Sequence, residues 1–321
     1  MQIDNISKVD GSRALNVAQP PAAVKATRLK LSTRMTIEQA FQAIATNCLV
    51  QIQANEAGVV QERDAESVHQ MRVGLRRLRC ALKLFRNRLQ GAEEMQQELD
   101  WLSMQLGTAR DWDVLAGSTL SAVAEAAPDE AGIAELKLAA LVRARDAHEA
   151  AGAAVSSPRY TRLILHFTCW VQGCGWRDAM ARRDQKRLTA PLTRFAHTML
   201  EQQQRRLLKR GGKLQGASAQ TRHRVRIAAK KIRYATEFFQ SLYPPKRVRP
   251  YVAALATLQD ELGWLNDAAV ADRLVKQLQD GQIDLDAGAG FLRGYLAARV
   301  KNADQKISKL WKKFAPMKLP C

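Results

Sequence analysis

The chain has 321 residues, with 50 Lys+Arg against 31 Asp+Glu and a formal net charge of +19. Its 46% hydrophobic content, with only 18 Gly and 10 Pro, excludes a disordered or turn-rich chain, and its length suits two structural units or one large one. No apolar run approaches the roughly 18 residues that cross a bilayer, and the opening MQIDNISKVDGSRAL lacks the basic and apolar regions of a secretory leader.

Residues 1–33 carry Pro20-Pro21 and no helical periodicity, so they read as a tail or linker. Thr36 is a plausible N-cap for a first amphipathic helix with apolar Ile37, Phe41, Ile44, Leu49 and Ile52. A second helix is predicted over 65–89, ending at Gly91, and a third over 92–125, stopping near Pro128, with an irregularity at Gly107. A fourth covers 130–151, and Ser156-Ser157-Pro158 opens a fifth that reaches Val171. Gly173, Gly175 and a basic stretch separate the halves. Pro191, at a first helical position, starts a helix that runs to Arg210 and stops at Gly211-Gly212. Further helices cover 218–242, 246–279 and 286–315, with Pro244-Pro245 and Gly281 as breaks. Period-2 alternation is never sustained, so the predicted fold is all-α, with antiparallel bundles at 34–172 and 189–315, a connector at 173–188 and a tail at 316–321. The five cysteines (Cys48, Cys80, Cys169, Cys174, Cys321) lack CxxC spacing and read as reduced thiols of a cytoplasmic protein. The histidines form no HExxH or Cys/His pair, so no metal or other cofactor is expected.

Charge is segregated along the chain. Residues 91–150 hold 4 cations against 12 acids, residues 69–90 hold 7 against 0, and residues 177–233 hold 17 against 3. Such segregation focuses an anion-attracting potential on part of the surface.

Comparison of the chain with itself adds a repeat. HQMRVGLRRLRCALKLF (69–85) aligns without gaps on HRVRIAAKKIRYATEFF (223–239), at an offset of 154 residues. At an offset of 156, Leu99, Leu102, Leu106, Gly107, Asp111 and Val114 match Leu255, Leu258, Leu262, Gly263, Asp267 and Val270. Two motifs in the same order at nearly equal spacing read as an internal duplication.

On a helix of 100° per residue, His69, Arg72, Arg76, Arg79 and Lys83 fall within a stripe of about 80°, beside the apolar Met71, Leu75, Leu78, Leu82 and Phe85. His223, Arg226, Lys230 and Arg233 repeat the geometry, with Tyr234 alongside. One basic stripe alone reads as a solvated face. Two stripes of cations that repel one another at helical spacing call for an external polyanion. Glu237 stands where Lys83 does and is placed to hold Arg233. The recurring Asp111 and Asp267 are read as orienting the arginines through charge-assisted hydrogen bonds. His148, His166 and His197 have no repeat partners and are read as structural.

With those residues in view, the chain resembles the CHAD (conserved histidine α-helical domain) family. The resemblance rests on VHQMRVGLRRLR (68–79), RHRVRIAAKKIRYATEFF (222–239), LQDELGWLNDAAV (258–270), GFLRGYLAARV (290–300) and Trp311 to Phe314, and spans about 34–315. It implies two four-helix bundles related by a pseudo-two-fold around a basic central cavity, binding of inorganic polyphosphate rather than catalysis, and association with polyphosphate granules. The carried-over positions are His69, Arg72, Arg76, Arg79, His223, Arg226, Lys230, Arg233 and Tyr234. Lys83, Arg206, Lys209 and Arg210 join them as candidates for the same basic surface, with Lys309, Lys312 and Lys313 weaker ones. Residues 20–40 look similar to the connector after a CYTH domain, which implies either the CHAD portion of a CYTH–CHAD protein or a protein that has lost that catalytic partner.

A polyphosphate chain would be held through many cation contacts and counterion release, as nucleic-acid backbones are. On that reading His69 and His223 would bind it more tightly as pH falls below about 6.5. Nonspecific nucleic-acid binding is the first rival, opposed by an aromatic content of 6%. A histidine phosphotransfer or polyphosphate-metabolising enzyme is the second, opposed by the absence of GxxxxGK[ST] and of a recurring carboxylate cluster for Mg²⁺. Docking of acidic proteins is a third. Nothing in the sequence specifies the oligomeric state.

Overall fold

The computed structural model describes residues 22–61, 63–214, 216–280 and 283–321. The first part of the expected tail, with Pro20-Pro21, and the break at Gly281 lie outside them.

Helix α1 (Ile37–Gln53) starts at a capping box: Thr36 Oγ1 accepts from the Gln39 amide at 3.2 Å, while Gln39 Oε1 accepts from the Thr36 amide at 3.0 Å. A short α2 (Glu56–Val60), which hydrophobic spacing does not announce, turns the chain into α3 (Ala65–Phe85). Asp64 caps α3 by accepting from the amides of Glu66 and Ser67. The α3 face of Met71, Leu75, Leu78 and Phe85 is fully buried, each side chain contributing roughly 1.5–3 kcal/mol. Helix α4 (Glu93–Asp113) passes straight through Gly107. The expected irregularity falls instead on a π-helical turn at Val114–Thr119, followed by α5 (Leu120–Ala126). Helices α6 (Ile133–Val155) and α7 (Pro158–Gln172) complete the first half.

The connector is tied down. It contains a short α8 (Arg182–Gln185), and Trp176 is wholly buried, its indole N–H donating to Glu38 Oε1 at 2.8 Å. Arg177 Nε donates to the same oxygen at 2.8 Å, and this bond holds the Glu38 carboxyl below its usual range. Helix α9 (Leu192–Gly211) begins one residue after Pro191, which is its N-cap rather than its first helical residue. Among the described residues, the sole β-bridge pairs Thr36 with Pro191, so the two halves start side by side. Then come α10 (Ala219–Phe239), α11 (Pro245–Gln279) and α12 (Asp286–Phe314).

The packing is helix on helix: α1 on α3, α3 on α4 and α4 on α6, then α9 on α10, α10 on α11 and α11 on α12. The same succession serves both halves, and the all-α bundle is as the sequence predicts. The halves meet along α3 and α10. The Phe85 and Phe239 ring centroids are 6.4 Å apart, the Arg77 guanidinium lies 5.5 Å over the Phe238 ring, and Cys80 Sγ rests 3.9 Å from the Lys231 carbonyl. They meet again where Gly288 approaches Gly132. A Cβ on Gly288 would lie 2.1 Å from the Gly132 carbonyl oxygen, and Gly132 has a φ of +83°.

Residues 22–33 dock on the helices. The Leu31 amide donates to Ser241 Oγ at 2.9 Å, and that hydroxyl donates back to Leu31 O at 3.0 Å. The closing residues are also anchored, Arg247 Nη1 donating to Cys321 O at 3.1 Å. Among the described residues, no helix is long and apolar enough to cross a membrane.

Candidate functional site

Helices α3, α4, α10 and α11 enclose a cavity of about 640 Å³. From α3 it receives His69, Arg72, Val73 and Arg76, from α4 Arg110 and Asp111, and from the π-helical turn Val114. From α10 come Arg226, Lys230, Arg233 and Tyr234, and from α11 Gln259, Asp260, Trp264, Asn266 and Asp267. The amphipathic pattern explains this placement. The apolar faces of α3 and α10 are consumed by the core, so the flanking cationic stripes turn toward the space between them.

The cations are crowded and desolvated. Arg72 Nη1 donates to Ser103 O at 3.3 Å. The Nε groups of Arg72, Arg76 and Arg226 are buried without a hydrogen-bond partner among the described residues. Burial, then Arg226 and Arg76, push the Lys230 ammonium down to about 7. Burial and the charge of Arg76 push Arg72 down to about 10, still cationic at neutral pH. His69 is pushed down to about 4 by burial and by Arg110 and Arg76. It is therefore neutral in the free protein, which corrects the expectation that it would charge near pH 6.5.

The two recurring aspartates behave differently. Asp267 lies 3.9 Å from Arg226 Nη2, an ion pair longer than a hydrogen bond. Asp111 accepts from Arg273 of α11 at 3.4 Å, and burial raises its carboxyl. The hydrogen-bonded orientation expected of both is met at neither Arg72 nor Arg226. Arg233 is the cavity cation held closely, by Glu237 at 2.8 Å as expected and by Gln259 at 3.2 Å.

Seven of the candidate residues come together in the cavity: His69, Arg72, Arg76, Arg226, Lys230, Arg233 and Tyr234. The others lie elsewhere. Arg79 is ion-paired with Asp100 of α4. His223 sits exposed on the outer side of Asn266, its Nδ1 3.2 Å from Asn266 Oδ1. Lys83 lies beyond the point where Cys80 meets Lys231, and joins Arg86, Arg88, Arg194 and Arg206 along a separate groove of about 680 Å³ beside α9. Lys209 and Arg210 are exposed on α9, and Lys309, Lys312 and Lys313 on α12. Arg110, Gln259, Asp260, Trp264 and Asn266 complete the wall without belonging to either stripe. Two of them stand next to recurring positions, Arg110 beside Asp111 and Asn266 beside Asp267, which is the signal the repeat offered.

An all-helical bundle with a cationic cavity between its two repeat-bearing helices defines the class of protein. The CHAD domain family model matches residues 43–276, and the chain belongs to that family. Its fold is similar to the crystal structure of the CHAD domain from the plant Ricinus communis, with a TM-score of 0.84 and 37% identity over 94% of this chain and 99% of that one. It is also similar to PptA from Streptomyces chartreusis, with a TM-score of 0.65 and 16% identity over 87% of this chain and 100% of that one. No curated protein sequence matches the chain.

Proposed function

We propose that this chain binds inorganic polyphosphate in the central cavity, without transforming it, and that this binding carries it to polyphosphate granules in the cytoplasm. The observation that carries the reading is the set of buried, unpartnered Nε groups of Arg72, Arg76 and Arg226 around a depressed Lys230. Buried cations that outnumber the acids beside them are costly, and an anionic chain threading between them supplies both the remaining counter-charge and the missing acceptors. Arginine offers bidentate donors to successive phosphates, while lysine follows as a point charge. Affinity then reads charge density along the polymer rather than any sequence. Lys83 and Arg206, in the separate groove, are candidates for contacts with a chain longer than the cavity.

The test is a titration with long-chain polyphosphate at about 0.15 M salt, with duplex DNA as competitor. Wild type is compared with a quadruple variant carrying Arg72→Glu, Arg76→Glu, Arg226→Glu and Lys230→Glu, its helicity checked by circular dichroism. Tight binding that survives excess DNA and disappears in the folded variant is expected. Equal displacement by DNA, or unchanged binding in the variant, would replace this reading with a nonspecific basic surface. Release of inorganic phosphate from the polymer would overturn the non-enzymatic part.

A further inference from the structure

A second pocket, of about 560 Å³, lies between the start of α10, α11 and α12. Its chemistry is the opposite of the cavity's. The walls are apolar, with Leu262, Leu265, Ala268, Leu296 and Val300 prominent. The charged groups on its rim are already satisfied: Arg222 pairs with Asp304, and Arg293 Nε donates to Asp272 Oδ1 at 2.9 Å. Such a pocket favours a neutral apolar body, because it has no uncompensated charge to offer.

The first half shows what size of group fits there. At the offset of 156 residues, Ala268 aligns with Trp112 and Ala269 with Asp113. Trp112 is buried under the Arg143 guanidinium, 5.9 Å from its ring, and Asp113 is bonded to His148 at 2.8 Å. Arg299, which aligns with Arg143, lies instead over Trp264 at 4.9 Å. The second half thus lacks the indole and keeps the space.

The pocket and the cavity share a wall. Asn266 lines both, and His223 touches it from the pocket side. On α10 the residues His223, Arg226 and Lys230 follow one another by helical turns, about 10 Å in all. A ligand seated at His223 would therefore extend a tail of several phosphates onto Arg226 and Lys230. Exposed imidazole and apolar faces are surfaces on which bases stack.

We propose that the pocket beside His223 and Ala268 seats the base of a nucleoside polyphosphate whose phosphate chain lies in the cationic cavity. The inference rests on phosphate binding in that cavity and adds a ligand class with an aromatic head.

Calorimetry with ATP and with inorganic tripolyphosphate, both free of magnesium, separates head from tail. Tripolyphosphate carries at least as much charge, so a preference for ATP reports the base. ATP is expected to bind roughly tenfold or more tightly, the scale of one stacked base. Ala268→Trp refills the pocket and is expected to bring ATP down to the tripolyphosphate level while leaving tripolyphosphate unchanged. Ala269→Trp, at an exposed position, serves if the first variant misfolds. ATP no tighter than tripolyphosphate, or an ATP preference that survives in whichever variant folds, overturns the base pocket and leaves the polyphosphate reading standing. Failure of long-chain polyphosphate to bind or to displace ATP overturns the shared-cavity reading instead.

Discussion

The guanidinium of Arg72 rests against the backbone of α4 at Gly107, so closely that a Cβ there would lie 2.7 Å from its Nη1. At the aligned Gly263, a Cβ would stand at an ordinary 4.0 Å from Arg226 Nε. Matching glycines therefore have different duties, and only the first sets the position of a cavity cation.

Gly107→Ala is expected to leave the fold intact and even to gain up to about 1 kcal/mol of helix propensity. The new methyl displaces Arg72 from Ser103, so polyphosphate affinity should fall severalfold. Gly263→Ala should leave affinity within about twofold of wild type. Paired titrations and melting curves check both; equal effects on binding would show that Gly107 does not place Arg72.

Affinity should depend on pH through Lys230. Its ammonium stands near 7 in the free protein, and bound phosphates favour its charged form, so binding takes up a proton and tightens as pH falls from about 8.5 to about 6. Lys230→Arg, charged throughout, should flatten the profile. His69, held near 4, should contribute little above pH 5.5, so His69→Gln should keep the slope. An unchanged slope in Lys230→Arg would assign the titration elsewhere.

Stability should move the opposite way at the same residue. The folded value of Lys230 lies below its ordinary 10.5, so between about 7 and 10.5 the unfolded chain holds more protons and this group's contribution to stability rises with pH. Lys230→Met should raise the melting temperature of the ligand-free protein by a few degrees at pH 7 while weakening polyphosphate binding. A lower melting temperature would show that the ammonium is well compensated in the fold.

Arg77 and Arg79 are two residues apart, and neither lines the cavity. Arg77 is buried, donating to Gln51 Oε1 and Asn47 Oδ1, each at 2.9 Å. Arg77→Ala leaves those acceptors unsatisfied and should cost about 2–4 kcal/mol in urea unfolding. Arg79→Gln loses an ion pair with Asp100, a residue more than half exposed, and should change both stability and affinity little. Arg76→Gln, in the cavity, should lower affinity at least several-fold. Equal binding losses at Arg76 and Arg79 would contradict the cavity boundary.

Much of this architecture was legible in one dimension because helices are local. The spacing of Met71, Leu75, Leu78 and Phe85 states which face of α3 is buried, Thr36 is the N-cap that its place before Ile37 predicts, a helix opens at Ser156-Ser157-Pro158, and the matched runs at 69–85 and 223–239 single out the helices that line the cavity. What residue spacing could not state is which members of a stripe share a space. Arg76, Arg79 and Lys83 lie on one side of α3, yet the first faces the cavity, the second meets Asp100, and the third lies past the contact of Cys80 with Lys231. Residues 22–33 look like a linker because extended backbone has no periodicity to read, but Leu31 finds Ser241, 210 positions away. The sequence by itself determined helix, buried face and the sign of the charge, all properties of neighbours within a turn or two. The tertiary structure alone decided which cations are paired, which stay desolvated and unpartnered, and where Lys230 titrates, because burial and the nearest counter-charge come from helices distant along the chain.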